Sequence, residues 1–286
     1  MRRKNAFKWA SLPIAATLIL VLTGCSPAEL SRGFLPGEPG ITNHTDMITE
    51  LWTGSWAVLW GVGIIAWGLM FYAIIVYRRR KGDTSLPPQI RYNNPIETLF
   101  TVVPLVMVVG FFAFTTKTLL AIEEPVHPAN QIQIEVIGKQ WSWDFNYTSN
   151  NVYDSGIQSQ FAGEEGSEAA LPVLWLPVNV PVDVSLTSRD VVHSFWVIDF
   201  LYKKDVFPGK TNHMYFTPQK IGTYKGKCAE LCGEFHSMML FNVKVVSQAD
   251  YDAHMAELAA QGNTGLLDDK YNRNQNLPGN GSEIKG

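Results

Sequence analysis

The residues with the greatest capacity for chemistry lie in one short stretch, from Cys228 to Met239. It contains two thiols, Cys228 and Cys232, together with the imidazole of His236 and the thioether of Met239. A second histidine, His193, lies upstream in a strand-like segment. Thiolate, imidazole and thioether ligands together favour copper, and a single blue-copper ion would need only one cysteine. Two thiolates bridging two coppers, each with its own imidazole, would use every soft ligand, which indicates a binuclear electron-transfer site.

Two other interpretations of the cysteine pair remain open. Oxidising compartments favour a disulfide, but a bridge between Cys228 and Cys232 would close a very short loop and would restrict the unfolded chain little. A disulfide would also need neither His236 nor Met239. Zinc accepts two cysteines and two histidines in a tetrahedral site. Zinc, however, does not need Met239, and zinc fingers usually belong to reducing compartments.

The stretch from Cys228 to Met239 resembles the CuA motif of cytochrome c oxidase subunit II. The resemblance implies a centre of two copper ions whose ligands come from six residues: His193, Cys228, Glu230, Cys232, His236 and Met239. In that family the cysteines bridge the coppers, the histidines are terminal ligands and the methionine is a weak ligand. Glu230 would contribute its backbone carbonyl. The His-x-x-Met spacing selects Met239 over the neighbouring Met238.

Three residues take further roles from the same resemblance. Trp141, in the aromatic segment 140–147, corresponds to the surface residue through which cytochrome c passes its electron. The carboxylate of Glu230 resembles the family ligand of a Mg²⁺ at the boundary with subunit I, and Mg²⁺ prefers carboxylate and water oxygens. Glu97, in segment 93–101, resembles the residue at the mouth of a proton pathway into subunit I. Segment 140–147 and Glu97 also have structural interpretations. Aromatic residues commonly pack a sheet, and a helix N-terminus favours a carboxylate such as that of Glu97.

The N-terminus has the pattern of a secretory signal. Basic residues among the first eight positions precede a largely apolar stretch, and Leu22-Thr23-Gly24-Cys25 closes it. This ending resembles the lipobox of bacterial lipoproteins, so that cleavage before Cys25 would leave a lipidated N-terminus. We therefore expect residues 1–24 to be a lipoprotein signal peptide and Cys25 to be a lipid anchor.

Two further apolar stretches are long enough to cross a membrane: Trp52 to Tyr77 and Glu97 to Leu120. The segment between them contains Arg78-Arg79-Arg80-Lys81 and Arg91. Such a basic loop belongs on the cytoplasmic side. We expect a multi-pass protein of the bacterial plasma membrane whose N-terminus and C-terminal domain are both extracytoplasmic.

The external domain has the pattern of a β-sheet protein. Apolar and polar residues alternate with period two in segments 132–136 and 180–186. The expected fold is a transmembrane α-helical hairpin joined to an all-β cupredoxin-like Greek-key sandwich. The expected bounds are 1–24 for the signal peptide, 25–47 for an outward segment, 48–122 for the hairpin, 128–250 for the CuA domain and 251–286 for a partly flexible extension.

The resemblance implies a subunit that accepts electrons at the copper pair and passes them to haem in subunit I of a proton-pumping oxidase. The expected partners are subunit I and other oxidase subunits, the lipid bilayer, and cytochrome c or a membrane-bound c-type cytochrome; we expect haem only in the partner subunit and no nucleic acid. Residues 121–190 contain ten acidic and two basic residues, which would attract a basic donor. The alternative is a membrane-tethered copper-binding lipoprotein that delivers copper or assists oxidase assembly.

Two related classes are excluded. The quinol-oxidase relatives of subunit II lack the copper ligands that this chain has. Nitrous oxide reductase shares the copper motif but needs a large additional catalytic domain, for which the chain has no room.

Overall fold

The computed structural model describes residues 26–82, 84, 86–125, 128–158 and 171–267. The predicted signal peptide, the predicted lipid anchor Cys25 and most of the predicted flexible tail lie outside these residues. The chain forms two compact units. One contains Thr49–Phe114, and the other contains Pro36–Ile48 and the chain from Thr115 onward.

Two long helices follow a short one, α1, at Pro27–Ser31. Helix α2 spans Thr45–Val76 and helix α3 spans Asn94–Glu123. Both are long and apolar enough, by length and composition, to cross a membrane. A helix of about 30 residues extends roughly 45 Å, which exceeds the thickness of the hydrocarbon layer. The two apolar helices predicted from the sequence are therefore confirmed.

Within the described ranges, ten strands form two five-stranded sheets. The first sheet has the order β3-β2-β1-β5-β8, and its strands are β1 Ile132–Lys139, β2 Ser142–Tyr147, β3 Val152–Ser155, β5 Val182–Ser188 and β8 Asn212–Phe216. The second has the order β4-β10-β9-β6-β7, and its strands are β4 Val173–Pro177, β6 His193–Val197, β7 Tyr202–Val206, β9 Gly222–Cys228 and β10 Leu240–Val246. The pairs β1–β5 and β4–β10 are parallel, and the other pairs are antiparallel.

The core lies between the two sheets because alternate residues of each strand point inward. Trp143 and Phe145 of β2 are fully buried and contact Phe241 of β10, at ring-centroid distances of 5.5 and 6.4 Å. Phe195 of β6 stacks on the same Phe241 at 4.6 Å. This packing of one sheet on the other confirms the predicted all-β cupredoxin-like sandwich.

Two segments outside the sheets also pack on the sandwich. Helix α4, at Gln248–Ala260, buries Tyr251, Met255 and Leu258. In the segment before α2, Ile41 is buried and the Nε2 atom of His44 lies 3.0 Å from the carbonyl oxygen of Tyr215. The domain bounds drawn from the sequence remain a prediction, and packed structure is present on both sides of the range 128–250.

Candidate metal centre

Two neighbouring strands bring the predicted copper ligands together. His193 begins β6, and Cys228 ends the adjacent strand β9. The antiparallel register pairs Phe195 with Cys228, so that both ligands lie at the same end of the second sheet. The loop after β9 contains Cys232 and a short 3₁₀ helix that begins at His236. The backbone N–H of Cys228 donates to the carbonyl of Met239 at 3.0 Å, which closes this loop.

The side chains of these residues converge on one small space. The two cysteine sulfurs are 3.8 Å apart. The Nδ1 atom of His193 lies 3.8 Å from the Sγ of Cys228, and the Nδ1 atom of His236 lies 3.5 Å from the Sγ of Cys232. The Sδ of Met239 lies 3.8 Å from the Sγ of Cys232. One imidazole therefore faces each thiol.

A backbone oxygen and the burial of the ligands complete the arrangement. The Sγ of Cys228 lies 3.2 Å from the carbonyl oxygen of Glu230, whose side chain is exposed. His193 and Met239 are fully buried, and the two cysteines are almost so. His193 and the two cysteines form a group whose ligand atoms lie within 4.8 Å of one another. All six residues that the sequence named as copper ligands thus surround one space.

Both cysteines are free thiols, not a disulfide. The hydrogen bond from the Cys232 thiol lowers the pKa of Cys228 to about 3, and the same bond raises the pKa of Cys232. Hydrogen bonds from His193 and from the backbone of Ser194 to the Cys228 sulfur also lower this pKa. The pair therefore carries one thiolate readily, and thiolate is the form in which cysteine binds metal.

Asp190 holds His193 from the side opposite to the cysteines. Its Oδ1 lies 2.8 Å from the Nε2 of His193, and its Oδ2 accepts the backbone N–H of Gln140 at 2.6 Å. Burial alone would raise the pKa of Asp190, but hydrogen bonds from His193, Gln140 and Val191 lower it overall. Burial would lower the pKa of His193, but the contacts with Asp190 and Cys228 raise it. The carboxylate directs the Nδ1 atom of His193 toward the sulfurs, a support that is common for metal-binding histidines.

A glycine makes room for this histidine. A Cβ atom at Gly138 of β1 would lie 2.8 Å from the Cδ2 and 3.1 Å from the Cγ of His193. Trp143, on β2, contacts the imidazole at a ring-centroid distance of 6.0 Å and donates from Nε1 to the carbonyl of Met239 at 3.5 Å. The first sheet therefore provides a fixed wall against which His193 rests.

Trp141 lies beside the centre, in the connection between β1 and β2. Its Nε1 donates to the carbonyl of Cys232 at 3.2 Å, and the Nε2 of Gln140 donates to the same oxygen at 2.8 Å. Its ring meets Phe235 edge to face at 4.9 Å. Trp141 is partly exposed, and the exposed Glu234 lies in the chain between Gly233 and Phe235, which both lie beside the Trp141 ring. The tryptophan thus connects the solvent to the backbone of a ligand residue.

The other predicted site residues are Glu97 and Cys25. Glu97 is in the first turn of α3, where its Oε1 accepts the backbone N–H of Asn93 at 2.8 Å. This contact satisfies an N–H group at the start of the helix, as the structural interpretation expected. Cys25 lies outside the described residues.

Sequence reasoning missed Asp190, Gln140 and Gly138. Gly138 and Gln140 carry no metal-ligand signal of their own, and only the sheet register brings them to His193. Asp190 offered a weak signal, because a carboxylate three residues before a candidate histidine ligand can support its ring.

The donor set fits copper better than zinc. Two sulfurs from cysteine, two imidazoles and a thioether are soft or intermediate ligands. Met239 is fully buried with its sulfur directed at Cys232, a position that a four-ligand zinc site would not need. The residues present therefore fit a copper pair.

Comparison with known proteins places the chain among the oxidase subunits. Residues 132–246 match the family described as cytochrome c oxidase subunit II, periplasmic domain. A probable cytochrome c oxidase subunit 2 of Streptomyces avermitilis is 40% identical over 300 residues, covering 93% of this chain and 91% of that protein. The cytochrome c oxidase subunit 2 of Mycobacterium bovis is 31% identical over 293 residues, covering 84% and 78%.

Among solved structures, the periplasmic domain of subunit II of cytochrome oxidase from Bradyrhizobium japonicum is similar to part of the chain. It shares 28% sequence identity and covers 48% of this chain and 99% of that domain, with a TM-score of 0.42.

Proposed function

The chain belongs to the cytochrome c oxidase subunit II family, and we propose that it is the subunit at which electrons enter a proton-pumping haem-copper oxidase. Electrons arrive from cytochrome c or a membrane-bound c-type cytochrome and leave for haem in subunit I, where oxygen is reduced to water. The observation that supports this proposal most directly is the convergence of two thiols, two imidazoles and a thioether at one end of the sandwich.

The copper pair would be held by six residues: His193, Cys228, Glu230, Cys232, His236 and Met239. When bound, such a pair accepts and releases one electron without making or breaking bonds in a substrate. The chain's task is to keep its ligands fixed while the charge changes. The buried His193, hydrogen-bonded to Asp190 and resting on Gly138, and the loop closed between Cys228 and Met239 serve this task.

Trp141 is the proposed point at which electrons reach the protein. Its ring is partly exposed, and its indole N–H is bonded to the carbonyl of Cys232. A donor that docks on this ring would lie one hydrogen bond from the backbone of a ligand residue. The exposed carboxylates of Glu230 and Glu234 in the same loop would attract a basic donor surface.

Subunit I is the proposed partner subunit, which would share a Mg²⁺ with this chain and hold the haem. The exposed carboxylate of Glu230 is available for a Mg²⁺ shared with that subunit, since Mg²⁺ commonly takes few protein ligands and keeps several waters. Glu97 is the proposed residue at the cytoplasmic mouth of a proton path into subunit I. Haem is proposed only for subunit I.

The proposed location is the bacterial plasma membrane, with both termini outside. Helices α2 and α3 would span the bilayer, and the basic segment 78–81 between them would face the cytoplasm. Cys25 would carry a lipid after removal of residues 1–24. Mass spectrometry of the mature N-terminus tests this part, since an unmodified N-terminus or an uncleaved chain would refute it.

The electron paramagnetic resonance spectrum of the copper-loaded full-length chain tests the function. One unpaired electron shared equally by two copper nuclei gives a seven-line hyperfine pattern, whereas a single copper gives four lines. Seven lines, retained during dialysis against a copper chelator, support an electron-transfer subunit. Four lines or rapid loss of copper would instead support the copper-delivery alternative, because a delivery protein must release its metal.

A further inference from the structure

Gln140, in the connection between β1 and β2, is bonded to two different parts of the copper site. Its backbone N–H donates to the Oδ2 of Asp190 at 2.6 Å, and Asp190 holds the His193 ring through a contact of 2.8 Å with Nε2. Its side-chain Nε2 donates to the carbonyl oxygen of Cys232 at 2.8 Å. One residue is therefore joined both to the support of one proposed ligand and to the backbone of another.

Strand pairing and loop structure hold the two halves of the site by different means. His193 and Cys228 belong to the paired strands β6 and β9, so the second sheet fixes their separation. Cys232 lies in the loop after β9, which is closed by the bond from Cys228 to the carbonyl of Met239. The bond from Gln140 attaches this loop to the first sheet at Cys232 itself.

Gly233 allows the loop to approach Gln140 closely. Its backbone φ of +121° is one that glycine adopts readily and other residues rarely adopt. A Cβ atom at this position would lie 3.1 Å from the Nε2 of Gln140 and 3.2 Å from the Nε1 of Trp141. Both nitrogens donate to the carbonyl oxygen of Cys232, so the two lone pairs of that oxygen are used. The loop and the first sheet therefore fit closely at this oxygen.

We propose that Gln140 is a positioning residue, which keeps the His193 half and the Cys232 half of the copper pair at a fixed separation. The inference rests on the proposed function, because it concerns the ligands of that copper pair. Gln140 acts on one half through Asp190 and on the other half through the backbone of Cys232. Two metals share an electron equally only while their surroundings stay equivalent, and supporting hydrogen bonds of this kind fix the ligands of a metal site.

The amide of Gln140 and the indole of Trp141 share one acceptor, but only Gln140 also reaches Asp190 in the known contacts of this connection. Removal of the Gln140 side chain leaves the indole N–H of Trp141 on the carbonyl of Cys232. That oxygen is then still hydrogen-bonded, so the cost in folding free energy should be small. The effect of the substitution should therefore appear in the copper centre.

Two substitutions of Gln140 test the proposal in the full-length, copper-loaded chain. Gln140→Met removes the donor and keeps an unbranched side chain, while Gln140→Glu keeps the shape but places an ionised carboxylate, which cannot donate, against the carbonyl of Cys232. The matched control is Gln133→Met, which changes an exposed glutamine of β1. Both Gln140 variants are expected to bind two coppers about tenfold more weakly than the unmodified chain. The spacing of their hyperfine lines in the electron paramagnetic resonance spectrum should change, and the control should match the unmodified chain.

Spectra and copper affinities of both Gln140 variants that match the control would overturn the proposal. Urea unfolding of the copper-free chains separates position from stability, since a lower free energy of unfolding with an unchanged spectrum would show a structural role only. Failure of both variants to fold, when the control folds, would lead to the same rejection. A four-line spectrum of the unmodified chain would refute the proposed function, whereas seven lines of equal spacing in every chain would refute the role of Gln140 alone.

Discussion

At the scale of single residues, His193 is held by contacts on three sides. Cys228 faces its Nδ1, Asp190 faces its Nε2, and Gly138 lies under its ring. Hydrogen positions follow from these partners, because a carboxylate requires Nε2 to carry the proton. Nδ1 is then the nitrogen left for a metal.

Replacement of Asp190 by asparagine is expected to weaken copper binding. The substituted side chain keeps the size of the original but loses the charge that fixes the His193 ring. The expected loss is about 10–100-fold in copper affinity, the usual effect of removing such support, together with a shifted reduction potential. Competition with a chelator and redox titration measure the two effects. Unchanged values in both would show that Asp190 only shapes the loop.

Asp154 of β3 provides a test by pH. Burial and the nearby charge of Asp144 raise its pKa from 3.8 to about 6, although Lys139 opposes this. The folded state therefore favours the protonated carboxyl, so that its contribution to stability is present at low pH and is lost as the pH rises through about 6.

Asp154→Asn is therefore expected to stabilise the protein at neutral pH by about 1 kcal/mol, allowing for partial exposure of the group. Below the ordinary pKa of 3.8 the two proteins should be equally stable. Urea unfolding at several pH values measures the difference. A stabilisation that persists at the lowest pH would contradict the electrostatic cause.

At the scale of elements, the register between strands brings together site residues that lie far apart in the sequence. The ligands from Cys228 to Met239 share one loop, and this local spacing made them predictable from the sequence. His193 joins them only because β6 pairs with β9. Gln140 and Gly138 support the centre from the first sheet, and their role depends on how the sheets pack, which no local spacing encodes.

The packing of segments outside the sandwich is also difficult to predict from the sequence. Helix α4 had a readable signal, because Ser247 caps its start and Tyr251, Met255 and Leu258 recur at helical spacing. The predicted domain bound at 250 cuts through this helix and assigns most of it to the partly flexible extension. The sequence carries no signal that predicts the burial of Ile41, since a single isoleucine in an irregular segment has no periodicity to detect.

Gly138→Ala is expected to impair the copper centre, since the added methyl group would meet the His193 ring at 2.8 Å. The matched control is Gly226→Ala in β9, where the methyl group would meet the Phe241 ring at 2.1 Å. The control should lower the free energy of unfolding by about 1–3 kcal/mol through overpacking of the core. Copper titration and thermal unfolding of both variants separate the effects. Equal copper affinities in the two variants would contradict the role of Gly138.

At the scale of the whole molecule, charge is distributed unevenly over the external domain. Both basic residues of segment 121–190, Lys139 and Arg189, form ion pairs with the buried Asp144, at 2.7 and 2.9 Å. The side chains of Lys139 and Arg189 are thus largely buried. The loop at the copper centre exposes Glu230 and Glu234, while the second sheet exposes lysines. The exposed carboxylates beside the copper centre would therefore favour a partner with a basic surface.

Two substitutions near the copper centre are expected to separate docking from electron transfer. Trp141→Phe removes the indole N–H that donates to the carbonyl of Cys232, so electron transfer within the docked complex should slow several-fold while its salt dependence stays the same. Glu234→Gln removes one charge that attracts a basic donor, so the association rate at low salt should fall and the difference should vanish at high salt. Stopped-flow reduction by cytochrome c at several ionic strengths measures both. If Trp141→Phe changed only the salt dependence, the tryptophan would be a docking residue, and the electron would have to enter by another route.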